Sequence, residues 1–510
     1  MLTKNAIYLL QQRYCKNGES PEGVFKRVAG FLAEGDFKFE DNLQTLMTNG
    51  VFLPNSPCLF NAGIPNGMLH ACFILPIHDD IHSIFTTISN MAYIFKGGGG
   101  VGINFSKLRE KDAYLSGGGS SSGVLSFMEI FDNVVDTVKQ GGMRRGALMG
   151  ILDHNHPEIY NFIKVKLEGK LQNFNLSIMV DDDFMNSVLK DEDIDVISPK
   201  NGRIGKVGAK DIFDVACFAS WVNGDPAFLF QDRINKDNPF YPDVKLDTVN
   251  PCSEVALPYY GACCLGSINV SKFVWKNEFN FDRFADVCKT GMRALTAMNK
   301  LSEYPLPEIK EAMEKYNPVG LGLMGFADCL IKLGIRYDSQ DCLDFIDKLG
   351  STYKEASLSY NPDMFYFYRR IIAPTGSLSI LADCSSGVEP VYDVAFERSL
   401  TIGKIEEVRD LYKSEFVRTA HEVSPEWHVK VLAKWQEYLD GGCSKTINMP
   451  NNASVEDIKN AYITAWRMGI KGITVYRDGS RDQVLTSISP TNKFSSTRPV
   501  SKCSDDTCIL

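Results

Sequence analysis

Asn250-Pro251-Cys252-Ser253-Glu254 sets a thiol between a carboxamide and a carboxylate at alternating positions. Residues two apart point to the same side of an extended segment, so Asn250, Cys252 and Glu254 are expected to face one small molecule together. A thiol, a base and a neutral hydrogen-bond donor on one face suit chemistry on a hydroxylated substrate. By itself the pattern is not specific, because a free cysteine is commonly just buried. A second thiol pair stands out in Cys503-Ser504-Asp505-Asp506-Thr507-Cys508, followed only by Ile509 and Leu510. A closely spaced dithiol on a mobile segment suits thiol–disulfide exchange.

The rest of the chain must position these groups. It has 510 residues, 44% hydrophobic and 23% charged, enough for a large core. A net charge of -9 argues against a nucleic-acid partner. No apolar run approaches the roughly 18 residues of a membrane span, and Met1 to Gln12 lacks the features of a secretory signal. The expected compartment is the cytoplasm, with no membrane partner. Fourteen cysteines over this length are too sparse for a disulfide scaffold, which leaves redox or metal chemistry as their use in a reducing compartment. No CxxC pair occurs, and His154 and His156, without a neighbouring cysteine pair, read as part of a surface turn before Pro157.

Three regions are expected. Residues 1–50 read as helical: Ala6, Leu9, Leu10 and Tyr14 fall at helical spacing, as do Val24, Val28, Phe31 and Leu32 after Pro21. Residues 51–481 alternate short apolar runs with Gly, Pro and Asn. Cys72–Ile77 and Val101–Phe105 read as strands. Phe127, Ile130, Phe131, Val134, Val135 and Val138 form one apolar helical stripe that stops at Gly141-Gly142. Ser454 as N-cap with Asp457 at the third helical position starts another helix to Gly469, and a strand Gly472–Tyr476 follows. Helix, short loop and β-branched strand in succession is an α/β signature. Residues 482–510 carry Ser, Thr and Pro with little to bury, which predicts a flexible tail bearing Cys503 and Cys508.

Several segments join the pentapeptide: Asn55-Ser56-Pro57, Ala71-Cys72-Phe73, Gly97 to Gly102, Gly141 to Ala147, Cys263-Cys264-Leu265-Gly266-Ser267, Ala373-Pro374-Thr375-Gly376-Ser377, Ser385 to Pro390, Ser444 to Asn448, and Val475 to Arg481. Together they resemble the catalytic chain of ribonucleotide reductase, from about Leu2 to Leu510. Thr419 to His428 and the single tyrosine of Val475-Tyr476 resemble the adenosylcobalamin-dependent class II form. Two positions depart from the family pattern: Ser253 stands where Gly is usual, and Cys264 where Asn is usual.

The resemblance implies a ten-stranded α/β barrel with Cys252 on a loop inside it. It implies reduction of ribonucleotides, the expected substrates being diphosphates, with Cys252 as the thiyl, Glu254 as general base, Asn250 on the substrate hydroxyls, and Cys72 with Cys263 as the reducing pair. Cys503 and Cys508 would re-reduce that pair and pass electrons from a thioredoxin- or glutaredoxin-type reductant. Ser56, Ala71, Cys72, Gly100, the run Asn250, Pro251, Cys252, Ser253 and Glu254, and the run Pro374, Thr375, Gly376, Ser377 and Leu378 match substrate contacts. The Pro374–Leu378 turn would offer N–H groups and hydroxyls to phosphate. Asp79, Arg109, Arg144 and Arg145 are candidates for a nucleoside triphosphate effector site, and the 127–139 helix for a homodimer interface. Adenosylcobalamin is the implied cofactor, although no Asp-x-His-x-x-Gly cobalamin motif is visible. Two alternatives stay open: a class I-like large subunit that needs a radical-generating partner, and an inactive nucleotide-binding paralogue.

Overall fold

A computed structural model of the chain describes residues 2–16, 18–138, 146–360, 368–400, 402–480 and 485–488. Among the described residues three α-helices precede residue 50, and each starts at a residue suited to capping. The Thr3 side chain accepts from Ala6 N ahead of Lys4–Leu9, Ser20 caps Pro21–Ala33, and Asp36 caps Phe37–Thr48. Their buried faces (Val24, Phe25, Val28 and Leu32; Phe39, Leu43 and Met47) join the main core.

Among the described residues ten strands form the principal sheet. In chain order they are β1 (Phe52–Pro54), β2 (Cys72–Ile74), β3 (Gly100–Asn104), β4 (Leu148–Asp153), β5 (Phe174–Val180), β6 (Ala227–Phe230), β7 (Ala262–Asn269), β8 (Val319–Met324), β9 (Thr446–Met449) and β10 (Gly472–Arg477). β2 to β6 are all parallel, neighbour to neighbour. β7 pairs parallel with β8, and β9 with β10. Between β8 and β9 the ladder is carried by two parallel bridges, Leu321 with Arg370 and Ile372 with Cys443, the latter just ahead of β9. The two parallel halves meet antiparallel at two seams, β2 against β7 and β6 against β10. The pairings therefore run in a closed circuit of ten extended segments, a barrel, with β1 added antiparallel on β7.

Side chains alternate across each strand, and burial follows. Met149 and Ile151 of β4 face an inner apolar cluster, while Leu148 and Leu152 face the outer core beneath the helices. The inner cluster also holds Cys72, Cys263, Leu265 and Ile371, together with Val249, Val255, Ala256 and Leu257. Those last four belong to the long connection from β6 to β7, so this loop fills the inside of the ring.

The predicted helix stripe lies on Val124–Thr137, and the Ser454–Asp457 capping box is present ahead of Val455–Arg467. The strand predicted at Cys72–Ile77 ends at Ile74. His154 and His156 correct the surface-turn reading. They occupy a turn, but they are 8% and 2% exposed, and His156 Nε2 bonds Leu108 O at 2.9 Å. A backbone carbonyl pairs with one nitrogen of each ring, and His156 Nδ1 accepts from Glu158 N, which permits burial. Among the described residues no helix is long and apolar enough to cross a membrane.

Candidate active site

The loop around Cys252 is a tight turn and not the extended segment its alternation predicts. Ser253 N donates to Asn250 O (3.0 Å), and Asn250 N donates to Val255 O (2.9 Å). Ser253 sits at φ 65, in the left-handed region that favours glycine, which accounts physically for the usual residue there. The turn separates the three side chains by depth. Cys252 is exposed at its tip, whereas Asn250 and Glu254 are 0% and 1% exposed. The Asn250 amide is engaged internally: Oδ1 accepts from Val255 N (3.0 Å) and Nδ2 donates to Cys72 Sγ (3.1 Å). The loop is braced from two sides. Gly442 N donates to Glu254 O (2.6 Å), and Gly102 of β3 lies so close to Val249 O that a Cβ there would be 1.8 Å from it.

Cys72 and Cys263 stand directly opposite each other across the β2/β7 seam. Opposed residues of an antiparallel pair have Cβ atoms about 4.5–5.5 Å apart, near the range a disulfide requires. Cys72 also lies 3.9 Å from Glu254 Oε1. Burial, and after it the Glu254 charge, pushes both thiols well above the usual cysteine range. Both are therefore held as protonated thiols at neutral pH. The Cys263-Cys264 ambiguity is resolved by strand alternation. Cys263 faces the inner cluster with Cys72, while Cys264 faces the outer core, 3.1 Å from His70 Nε2.

Cys252 lines two cavities. The first, of about 250 Å³, brings together Ser56, Ala71, Cys72, Cys252 and Glu254 with Pro374, Thr375, Gly376, Ser377 and Leu378. Ser56 is placed by a helix start: the Asn55 side chain accepts from Cys58 N, and the helix Ser56–Asn61 follows with Pro57 in its first turn. The second cavity, of about 180 Å³, is lined by Pro251, Cys252 and Ser253 with Asn175, Ser177 and Thr474, among others. Gly100 lines neither. It is opposite Cys72 in register, and its α-carbon backs onto Pro251, whose Cγ a Cβ would meet at 3.0 Å. A third cavity of about 370 Å³, walled by Tyr392, Phe396, Tyr412 and Tyr476, shares Thr446 and Thr474 with the second.

Asp79 and Arg109 form an ion pair at 2.6 Å, away from these cavities. Arg144, Arg145, Cys503 and Cys508 lie outside the described residues. Sequence reasoning missed Arg13, which lines the first cavity, and the Lys445 network beside the second. The Lys445 side chain is 0% exposed, and its Nζ donates to Glu389 Oε2 (2.7 Å) and His428 Nδ1 (2.9 Å). Burial, and after it the Lys445 charge, lowers His428 well below the usual histidine range, so its ring is neutral. No local spacing signals either feature.

A barrel of two antiparallel five-stranded halves, with a cysteine loop threaded inside and an opposed thiol pair beside it, is an arrangement suited to thiol-based redox chemistry. Two family models cover the chain: "Ribonucleotide reductase, all-alpha domain" at residues 1–67 and "Ribonucleotide reductase, barrel domain" at 70–360 and 363–476. A "Vitamin B12-dependent ribonucleoside-diphosphate reductase" of Thermoplasma acidophilum is 38% identical, across 93% of this chain and 70% of that protein. One of the same name from Mycobacterium tuberculosis is 34% identical, across 95% and 80%. The "Ribonucleoside-diphosphate reductase large subunit" of Variola virus is 27% identical, across 66% and 48%. The chain belongs to the ribonucleotide reductase family, and its activity is the reduction of ribonucleotides for deoxyribonucleotide synthesis.

Proposed function

We propose that this chain reduces ribonucleoside diphosphates by a thiyl-radical mechanism that depends on adenosylcobalamin. The observation that carries the reading is that the exposed Cys252 lines two cavities at once, with Glu254 and the Cys72 thiol on the first. The substrate ribose belongs in the first cavity. Cys252, as the thiyl, takes the 3′ hydrogen, and Glu254 takes the 3′-hydroxyl proton. The 2′-hydroxyl then leaves as water, with a proton from the Cys72–Cys263 pair. That pair also supplies the second proton and the two electrons that replace the lost C2′–O bond with a C2′–H bond, and ends as a disulfide; Cys252 returns the hydrogen to C3′, and Glu254 returns its proton to the 3′ oxygen. Asn250, engaged on the Cys72 sulfur, orients that thiol. Substrate hydroxyl contact by Asn250 requires it to exchange these partners.

The second cavity suits the cofactor's adenosyl group. It adjoins the thiol that must become a radical, and it holds Ser177, whose Oγ is fully buried and has no hydrogen-bond partner among the described residues. Asn175, Ser177 and Thr474 would hold that group, and the contiguous aromatic cavity gives room for a larger body. When bound, the cofactor supplies the radical that Cys252 carries into the first cavity. Cys503 and Cys508 would re-reduce the buried disulfide by exchange with a thioredoxin- or glutaredoxin-type protein. Asp79 and Arg109, with Arg144 and Arg145, remain candidates for a nucleoside triphosphate effector site. A homodimer through Ile81–Gly97 and Val124–Thr137 is supported by the exposed Ile81 (62%), Phe85 (49%) and Tyr93 (56%) on the first of these helices.

The test is anaerobic deoxynucleotide formation by the purified chain with a ribonucleoside diphosphate, dithiothreitol and an effector, with and without adenosylcobalamin. Cofactor-dependent product, lost in Cys252→Ala, is expected. Turnover that instead requires a second protein would assign the radical source elsewhere, and no product under any condition would leave an inactive binder.

A further inference from the structure

The first cavity has an uneven charge. Among the described residues that line it, Glu254 is the only anion and Arg13 the only cation. Glu254 belongs to the thiol cluster, through its contact with Cys72. Arg13 belongs to the other group of residues: its Nη1 donates to Ser377 Oγ at 3.1 Å, in the Pro374–Leu378 turn.

Local structure holds Arg13 there. The first helix does not continue as an α-helix. Leu10–Tyr14 is a π-helical turn, closed by Cys15 N on Leu10 O at 2.9 Å. Such a wide turn inserts one residue into a helix and is common at functional sites. Tyr14 anchors it: the ring is fully buried, stacks on Phe60 at 4.6 Å, and its hydroxyl lies 2.9 Å from Ser56 Oγ. Beside it is Asn55, 5% exposed, whose Nδ2 has no hydrogen-bond partner among the described residues. A buried orphan donor is costly unless something accepts from it.

We propose that Arg13 is a substrate-binding residue that grips the terminal phosphate of the substrate's diphosphate, with Ser377 and Asn55 as neutral donors beside it. This deepens the function proposed above and rests on it. A polyanionic phosphate chain needs a cation in a cavity whose other charge is negative. A guanidinium offers a fork of donors matched to phosphate oxygens, and its contact with Ser377 sets it at the turn that receives them. The N-terminal helical region then builds one wall of the active site.

The experiment compares wild type, Arg13→Gln and Arg13→Lys on a ribonucleoside diphosphate, the matching monophosphate and the nucleoside. Steady-state kinetics are read together with calorimetric binding of each compound and of inorganic pyrophosphate. A lost charge-assisted hydrogen bond is expected to raise the KM and Kd for the diphosphate about 10- to 100-fold. kcat at saturation should stay within about threefold, nucleoside binding should not change, and the lysine variant should fall between. The proposal is overturned if the diphosphate loses no more affinity than the nucleoside, or if kcat falls while KM holds. Should Arg13→Gln fail to fold, Arg13→Lys decides alone, because an unchanged diphosphate KM in it removes the forked contact from the account. Failure of the parent reading looks different: wild type would bind the diphosphate and pyrophosphate in an Arg13-dependent way, yet form no deoxynucleotide.

Discussion

Gly102→Ala should cripple the enzyme without unfolding it. Gly102 sits mid-strand in β3, between Ile74 of β2 and Met149 of β4. A Cβ there would lie 1.8 Å from Val249 O and 2.9 Å from Val249 C. Reaching even a 3.0 Å contact requires a movement of about 1.2 Å. β3 cannot supply it, since it is hydrogen-bonded to a strand on both sides. The loop must move instead, and Val249 immediately precedes Asn250. Because the turn from Asn250 to Val255 is closed by its own hydrogen bonds, the displacement passes to Cys252 as a unit. A 1 Å misplacement of a reacting group can cost on the order of 100-fold in rate, so kcat/KM should fall by about that factor. Overpacking should cost about 1–3 kcal/mol, which for a chain of this size is about 1–3 °C in Tm. Gly205→Ala, on a hairpin with no heavy atom within 4 Å of the new methyl, is the control and should match wild type in both readouts. Anaerobic deoxynucleotide formation and calorimetry would decide it. A Gly102→Ala enzyme within threefold of wild type would refute the claim that β3 sets the position of the catalytic loop.

Three further outcomes follow from particular side chains. Cys264→Ser should keep turnover, because its thiol faces His70 in the outer core, whereas Cys263→Ser should abolish deoxynucleotide formation, the first turnover included; the reverse pattern would overturn the strand-alternation assignment. Lys445→Met should cost about 3 kcal/mol, near the low end for breaking a buried pair because the Glu389 side chain is 25% exposed, and adding Glu389→Gln should restore part of it; a Tm within 1 °C of wild type would count against the network. His70, lowered to about 4 by burial, binds its proton more readily when unfolded, so its share of stability is intact above pH 6.5 and is lost as pH falls from there toward 4, on the order of 3 kcal/mol in all. Tm measured against pH should therefore fall less steeply in His70→Gln across that window, and an identical profile would exclude the histidine as a source of acid lability.

Much of this site was legible because it is written in short local strings. The Asn250–Glu254 pentapeptide, the Gly97–Gly102 run and the Pro374–Leu378 turn each report one backbone requirement, and the barrel brings them to one place. The Ser454–Asp457 box was readable for the same reason, since capping is a contact between neighbours. What escaped depends on distance. Arg13 meets Ser377 from 364 residues away, and nothing in Gln12-Arg13-Tyr14 foretells a π-helical turn. The burial of His154 and His156 depends on carbonyls supplied by Met179 and Leu108. Alternation predicted a shared face for Asn250, Cys252 and Glu254, but the left-handed Ser253 folds the segment into a turn, and the carboxamide is spent on Cys72.

The position of the thiol pair bears on the tail. Cys72 and Cys263 sit at one of two antiparallel seams, where opposed side chains approach closely enough to be joined. They are 6% and 0% exposed, so a protein reductant cannot dock a thiolate onto their disulfide from outside. Thiol exchange requires attack on a sulfur along its S–S axis, and a reagent that reaches this seam must enter the first cavity, of about 250 Å³, lined by Cys72. An extended segment bearing a dithiol would meet that constraint where a folded partner would not, and Cys503 and Cys508 are the pair proposed for that role. Pre-reduced Cys503→Ser/Cys508→Ser enzyme should therefore form about one deoxynucleotide per chain, at the wild-type rate, when mixed with substrate and cofactor. With a thioredoxin-type protein as the only reductant it should then stop, while dithiothreitol, small enough to enter, should sustain slower turnover. Continued thioredoxin-driven turnover at the wild-type rate would mean that the seam opens to solvent during catalysis, and the burial argument would fall with it.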